Sequence, residues 1–211
     1  MERKAVSGIM LILLLASTLM LAFNIQQVKA SETYDVAVTN IMPNKHGHEK
    51  HYVYRTWTIN VNVTVLNNGT EPANITVSAY YNESGWHEIG TQTLTNLAPT
   101  AQTTVTFSWN LAHVNLCNHT IKANATLIGA TDTNPANDEG YSWVKVKMIG
   151  DVDGDGDCDV DDVFIYISRA YGSKIGDPRY NVQCDFDGDG RVAADDVFLH
   201  MAAYYQKRYS C

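Results

Sequence analysis

The chain has 211 residues, 45% of them hydrophobic, with 15 Lys or Arg against 23 Asp or Glu and a net charge of −8. This acidic balance, with no basic stripe, excludes a nucleic-acid footprint. The excess is local: from Gly150 onward thirteen aspartates face six basic residues, whereas Ser31 to Ile149 carry nine acidic and six basic residues.

Residues 1–30 read as a signal peptide. Glu2-Arg3-Lys4 is a short basic start, Gly8 to Phe23 is continuously apolar or small, and Val28-Lys29-Ala30 places small residues for cleavage after Ala30. The apolar run is shorter than the roughly 20 residues of a spanning helix. An uncleaved anchor is the alternative; no second run of membrane length follows. The expected destination is secretion or the cell surface, with no membrane contact after cleavage.

Residues 31–149 read as a β domain. The expected strands are Tyr34–Ile41, Tyr54–Leu66, Ile75–Tyr81, Glu88–Leu94, Thr103–Trp109, Thr120–Ile128 and Tyr141–Met148. Alternation sets Trp57, Ile59, Val61, Val63 and Val65 on one face, and likewise Val105, Phe107 and Trp109, and Ile121, Ala123, Ala125 and Leu127. Turn signals at Asn67-Asn68-Gly69, Glu83-Ser84-Gly85 and Asn134-Pro135-Ala136-Asn137 separate the strands. Seven short strands imply an immunoglobulin-like β-sandwich, with Trp57 and Trp109 in its core. The segment resembles the CARDB family, extracellular sandwich modules linked to cell adhesion. The resemblance rests on Tyr34-Asp-Val-Ala-Val-Thr-Asn-Ile41, Val65-Leu-Asn-Asn-Gly-Thr70, Leu97-Ala-Pro-Thr100, Thr106-Phe-Ser-Trp109 and Asn134-Pro-Ala-Asn-Asp138. It implies no catalytic residues.

Six sequons fall in this domain, at Asn62, Asn68, Asn74, Asn82, Asn118 and Asn124, and mark expected glycosylation sites. His46, His48 and His51 lie close in sequence, but no fourth ligand is identifiable, and a solvated loop between the first two strands is the expectation. Tyr80, Tyr81 and Trp86 offer rings that a sugar could stack on; aromatic strand residues of a sandwich core are the commoner explanation.

Residues 150–211 carry a duplicated acidic loop. Asp151-Val-Asp-Gly-Asp-Gly-Asp-Cys-Asp-Val-Asp-Asp162 returns 34 residues later as Asp185-Phe-Asp-Gly-Asp-Gly-Arg-Val-Ala-Ala-Asp-Asp196. Carboxylates at alternate positions converge on a cation if the backbone curls, and Gly156 and Gly190 stand at the sixth position, where the turn is sharpest. The expected ligands of the first site are Asp151, Asp153, Asp155, Asp157 through its carbonyl, Asp159 and Asp162. Those of the second are Asp185, Asp187, Asp189, Arg191 through its carbonyl, and Asp196. Ala193 offers no side chain at the ninth position, so the second site is expected to be the weaker. All donors are hard oxygens, which favours calcium over zinc or copper, and two Ca2+ ions are expected. Val163, Phe164, Ile167, Ala170 and Tyr171 follow the first loop at helical spacing, and Val197, Phe198, Met201, Tyr204 and Tyr205 follow the second. These apolar residues are expected to form the core between two helices.

Each half is loop then helix, without a leading helix. In this form residues 150–211 resemble a dockerin, on the two Asp-x-Asp-Gly-Asp-Gly cores, Asp at both twelfth positions and the connecting Tyr171-Gly172-Ser173…Gly176-Asp177-Pro178. The resemblance implies two bound calcium ions and a cohesin-type partner. At the tenth and eleventh positions, Val160-Asp161 and Ala194-Asp195 depart from the Ser-Thr-like pair that touches cohesin in cellulosomal dockerins. Dockerin ends lie close together, which suggests Cys117–Cys211 and Cys158–Cys184 disulfides in an exported chain. A sandwich followed by such a tail looks like secreted archaeal proteins.

No acid, base or nucleophile is spaced for catalysis, so no enzyme is expected. The readings that remain are a dockerin attached to a surface scaffold, a calcium-stapled structural or adhesive protein, and a carbohydrate-binding accessory of polysaccharide breakdown. A chelator is expected to unfold residues 150–211 and leave the sandwich largely intact.

Overall fold

A computed structural model describes residues 31–204, apart from the side chains of residues 165–168. The expected signal peptide, Cys211, Tyr205 and the Ile167 side chain lie outside the described residues.

Among the described residues, nine strands form two sheets. The first sheet has the order β2-β1-β4-β7, from β1 (Val36–Lys45), β2 (His48–Glu49), β4 (Thr58–Asn67) and β7 (Gln102–Asn110). The second has the order β3-β9-β8-β5-β6, from β3 (Tyr52–Tyr54), β5 (Ala73–Asn82), β6 (Trp86–Leu97), β8 (Asn118–Leu127) and β9 (Glu139–Lys147). The alternating apolar residues of β4, β5, β7 and β8 are buried together with Trp57 and Trp109 in one core between the sheets. That is the sandwich the period-2 pattern implies.

Two of the nine strands were not expected. The run Tyr54–Leu66 is broken at Arg55-Thr56, where Trp57 N donates to Tyr54 O at 2.9 Å in a turn. The residues before the turn pair parallel to β9, and those after it pair with β1 and β7. The chain therefore changes sheets at this point. The histidine segment is a hairpin, not a solvated loop: Lys45 pairs with His48 across His46-Gly47. Its three histidines diverge. His51 stacks on Trp143 at 4.4 Å, His48 is exposed in β2, and His46 reaches the second acidic loop.

Helix α1 (Val160–Arg169) follows the first loop, and α2 (Ala194–Ala203) follows the second. Both begin three residues before the expected apolar runs. Asp161-Asp162 and Asp195-Asp196 occupy their first turns, where the helix dipole favours negative charge. A 3-10 turn (Val182–Cys184) leads into the second loop. No described helix is long and apolar enough to cross a membrane.

The expected inter-helix core is corrected by the burial. Ala170, His200 and Ala203 are buried, whereas Phe164 is 68% exposed, Phe198 71% and Met201 62%. Tyr171 and Tyr204 are exposed too. Helix α2 turns Ala203 and His200 inward, with Val197 and Leu199 partly buried against the core. Phe186, Val192, Val182 and Cys184 join the core that contains Tyr54, Trp57 and Val53. The second loop is thus continuous with the sandwich core.

Candidate metal loops and their seat on the sandwich

Each acidic loop closes in the same way. Gly154, Gly156, Gly188 and Gly190, the fourth and sixth residues, have φ between 76° and 104°. In the first loop Asp162 Oδ1 accepts from Val152 N at 2.6 Å, and its Oδ2 from Asp159 N at 2.8 Å. In the second loop Asp196 Oδ1 accepts from Phe186 N at 2.7 Å, and its Oδ2 from Ala193 N at 2.8 Å. The twelfth residue therefore pins the loop ends and opens the helix. An Asp has the reach for this, which gives a structural reason for Asp where Glu is common.

Three carboxylates of each loop converge. Oxygens of Asp151, Asp153 and Asp162 lie within 4.8 Å of one another, as do those of Asp185, Asp187 and Asp196. A third group joins Asp187, Asp189 and Asp195. The first and twelfth residues of each loop are buried, and the third is exposed. Asp155, Asp157 and Asp159 are not in the converged set. Asp155 Oδ1 accepts from Asp157 N at 3.1 Å, and Asp159 Oδ1 from Asp161 N at 2.9 Å. Arg191 is placed by its backbone: its amide donates to Asp189 Oδ1 at 2.7 Å, and it bridges Lys174. Asp195 was not among the expected ligands, because the eleventh position has no ligand role in the loop pattern.

The electrostatics fit a hard divalent cation. Burial, opposed by the loop amides and reinforced by Asp187 and Asp185, pushes Asp196 up to about 6. Asp162 is raised chiefly by burial, and so is Asp187. Asp185 is fully buried and its Oδ1 has no hydrogen-bond partner. Clustered carboxylates of this kind repel until a cation neutralises them. A pH dependence follows for the metal-free protein. Asp196 holds its proton to about pH 6 when folded and to 3.8 when unfolded. Its contribution to stability is full below that lower value and is lost as pH rises to about 6. The urea midpoint in chelator should fall across this window. In excess divalent metal the fall should vanish, because the ion displaces the proton.

The loops sit on the sandwich through matching contacts. The carbonyl of the second residue of each loop accepts from a sandwich side chain. Val152 O accepts from Lys147 Nζ at 3.2 Å, and Phe186 O from Trp57 Nε1 at 3.1 Å. Lys147 also donates to Asp151 O, and Thr56 Oγ1 to Phe186 O at 3.2 Å. Burial lowers Lys147 to about 8, against the pull of Asp151 and Asp162. Tyr54 hydroxyl donates to Gln183 O at 2.6 Å, and its ring meets Phe186 edge-on at 5.3 Å. The sequence carried no signal for the second loop's part of this seat, since Tyr54, Thr56 and Trp57 lie some 130 residues from Gln183 and Phe186.

The cysteine pairing is corrected in part. Cys158 and Cys184 are free and buried, and burial pushes both thiols up to about 12. They face different clusters: Cys158 packs with Met148 and Ala203, Cys184 with the sandwich core. Cys117 is disulfide-bonded, and its expected partner lies outside the described residues. Of the sequons, Asn68, Asn74, Asn82 and Asn118 are exposed, and Asn62 and Asn124 half-buried. Tyr81 leaves the sugar-stacking set, because its ring packs on Trp109 at 4.8 Å. Lys122 Nζ lies over both Tyr80 and Trp86, at 5.5 and 4.8 Å.

Fold and site together define a mainly β, two-sheet module carrying a paired set of acidic loops with the makings of a cation site. Residues 40–127, within the sandwich, match the CARDB family model. No curated protein matches the chain significantly. Among solved structures, the CARDB domain of a Pyrococcus furiosus protein, in complex with di-metal ions, is 20% identical, with a TM-score of 0.44 over 56% of this chain and 96% of that one. A domain from Methanosarcina acetivorans, of a protein described as a cell surface protein, is 22% identical, with a TM-score of 0.43 over 54% and 92%. A Listeria innocua β-glucosidase with bound glucose is 11% identical, with a TM-score of 0.38, and is matched over 16% of its own length. These likenesses are too slight to carry a functional argument.

Proposed function

We propose that the protein is a non-catalytic, secreted or cell-surface binding protein. In this reading, residues 31–149 form the CARDB-type sandwich and residues 150–211 a dockerin-like module that binds two calcium ions and docks to a cohesin-type partner. One observation carries it: two copies of one acidic cage, each with buried first and twelfth aspartates, present exposed apolar groups at equivalent places, Phe164 and Phe198. Carboxylate-only donors select a hard ion, and calcium is the abundant one outside the cell. A sizeable exposed apolar surface of this kind on a metal-held scaffold is what a protein partner covers.

The test is calcium-dependent binding to a cohesin domain from the same organism. Wild type should bind with calcium and not with chelator. Phe164→Asp with Phe198→Asp should abolish binding while the calcium titration is unchanged. Binding that survives the double change, or that ignores calcium, would overturn the docking reading. A second reading, a calcium-stapled structural or adhesive protein without such a partner, is favoured by the seat of both loops on the sandwich. It predicts calcium-dependent stability with no cohesin binding.

A further inference from the structure

The outer face of the second sheet sets exposed rings beside glycosylation sequons. Trp86 of β6, Tyr141 and Trp143 of β9 and Tyr52 of β3 are all exposed. The alternate residues Ile75, Val77 and Ala79 of β5, and Ile121, Ala123 and Ala125 of β8, are buried in the core. The strand alternation therefore turns Asn74 and Asn82 of β5, and Asn118 and Asn124 of β8, outward with the rings. Four of the six sequon asparagines share this one face.

The strand register sets one acceptor against a ring. Thr120 pairs with Trp143 and Asn118 with Lys145, so Asn118 is the diagonal neighbour of Trp143. Such neighbours lie roughly 7–8 Å apart, within reach of a long or aromatic side chain. Asn118, Thr120, Trp143, Tyr52 and Lys145 line one groove of about 450 Å³. The indole is held in place there: it stacks on His51 at 4.4 Å, and Tyr52 meets it edge-on at 5.8 Å. His51 is itself fixed, with Nδ1 2.7 Å from Trp143 O and Nε2 3.0 Å from Glu49 Oε1. Lys145 Nζ is engaged as well, donating to Gly154 O at 2.8 Å. Asn82 pairs with Trp86, but Lys122 Nζ already lies over that ring at 4.8 Å.

We propose that Asn118 carries an N-linked glycan whose first pyranose lies over this groove, on Trp143 and against Tyr52. The inference rests on the reading of the chain as exported. Attachment breaks the C1–O bond of a lipid-phosphate-linked sugar donor and forms a bond from C1 to Asn118 Nδ2. The Nδ2 proton leaves with the lipid phosphate, the host's transferase brings the donor, and Thr120 supplies the sequon hydroxyl. The C–H face of a pyranose bears partial positive charge and lies flat on the negative face of an aromatic ring. Because the sugar is tethered to the same sheet, the contact is intramolecular, and weak stacking suffices to hold it. An indole already fixed by His51 loses little freedom on contact. The tether also decides the occupant: a free polysaccharide or a protein on Trp143 would have to displace a sugar anchored in the groove.

The experiment compares the full chain secreted by its own organism with residues 31–211 made in a bacterial cytosol, which adds no N-glycan. Glycopeptide mass spectrometry of the secreted chain should find Asn118 occupied. Asn118→Gln should lower its melting temperature by about 2–4 °C, the shift for one ring contact in a protein of this size. Thr120→Val, which removes the glycan and keeps Asn118, should do the same. In a Trp143→Ala background neither change should lower it further, and in the cytosolic chain neither should act. The Asn118 sugar protons should show upfield ring-current shifts that Trp143→Ala abolishes. Asn118 unoccupied in the secreted chain, or a melting shift that survives Trp143→Ala or appears without glycan, overturns this inference and leaves the export reading standing. A chain retained in its organism's cytosol overturns both.

Discussion

Phe186→Ala should destabilise the whole chain by about 3–5 kcal/mol, the range for emptying a buried aromatic site. For a protein of this size that is a drop in melting temperature of roughly 10 °C. Phe186 belongs by sequence to a metal loop, yet it is fully buried, edge-on to Tyr54 and 5.9 Å from the His200 ring. Its loss opens a void under the sandwich and loosens the carbonyl that holds the Trp57 indole. Phe198→Ala is the control, since Phe198 is mostly exposed and its removal should cost less than about 0.5 kcal/mol. Thermal unfolding followed by circular dichroism separates the two. Equal effects would mean that the tail contributes nothing to the sandwich core.

Metal removal should act as broadly. An ion present at a hundredfold excess over its dissociation constant adds about 2.7 kcal/mol per site. On sequence grounds a chelator should release the tail and spare the sandwich. The structure alters that expectation, because Tyr54 and Trp57 are covered by the second loop. With chelator, tryptophan emission should shift to the red and the sandwich should unfold at a lower temperature than in calcium. Unchanged melting of the sandwich, with proteolysis confined to residues 150–204, would restore the separable picture.

The legible parts were those governed by local pattern. Period-2 burial along β4, β7 and β8 follows from alternation, and the paired loops follow from Asp spacing and the sixth-position glycines. The illegible parts depended on distant partners. Nothing in Phe164 or Phe198 distinguishes a core residue from an exposed one at the same helical spacing. The choice was made by Phe186, Val192 and Cys184, which took the inner volume. Likewise His46 reads as one of three loop histidines until the hairpin turn sets it against Asp185. The Cys158–Cys184 expectation failed for the same reason, since membership of one small tail module does not reveal that the two thiols face different clusters.

The seat of the loops also bears on mechanical load. A pull on α2 reaches Asp196, passes to the Phe186 amide and carbonyl, and enters β4 through Thr56 and Trp57. A pull on α1 takes the parallel route, through Asp162, Val152 and Lys147, into β9. Tension applied to the tail is therefore shared between strands of both sheets rather than borne by the peptide link at residues 148–150. Each acidic cage sits in a line of force, so an ion bound there would set the rupture strength of the joint under shear.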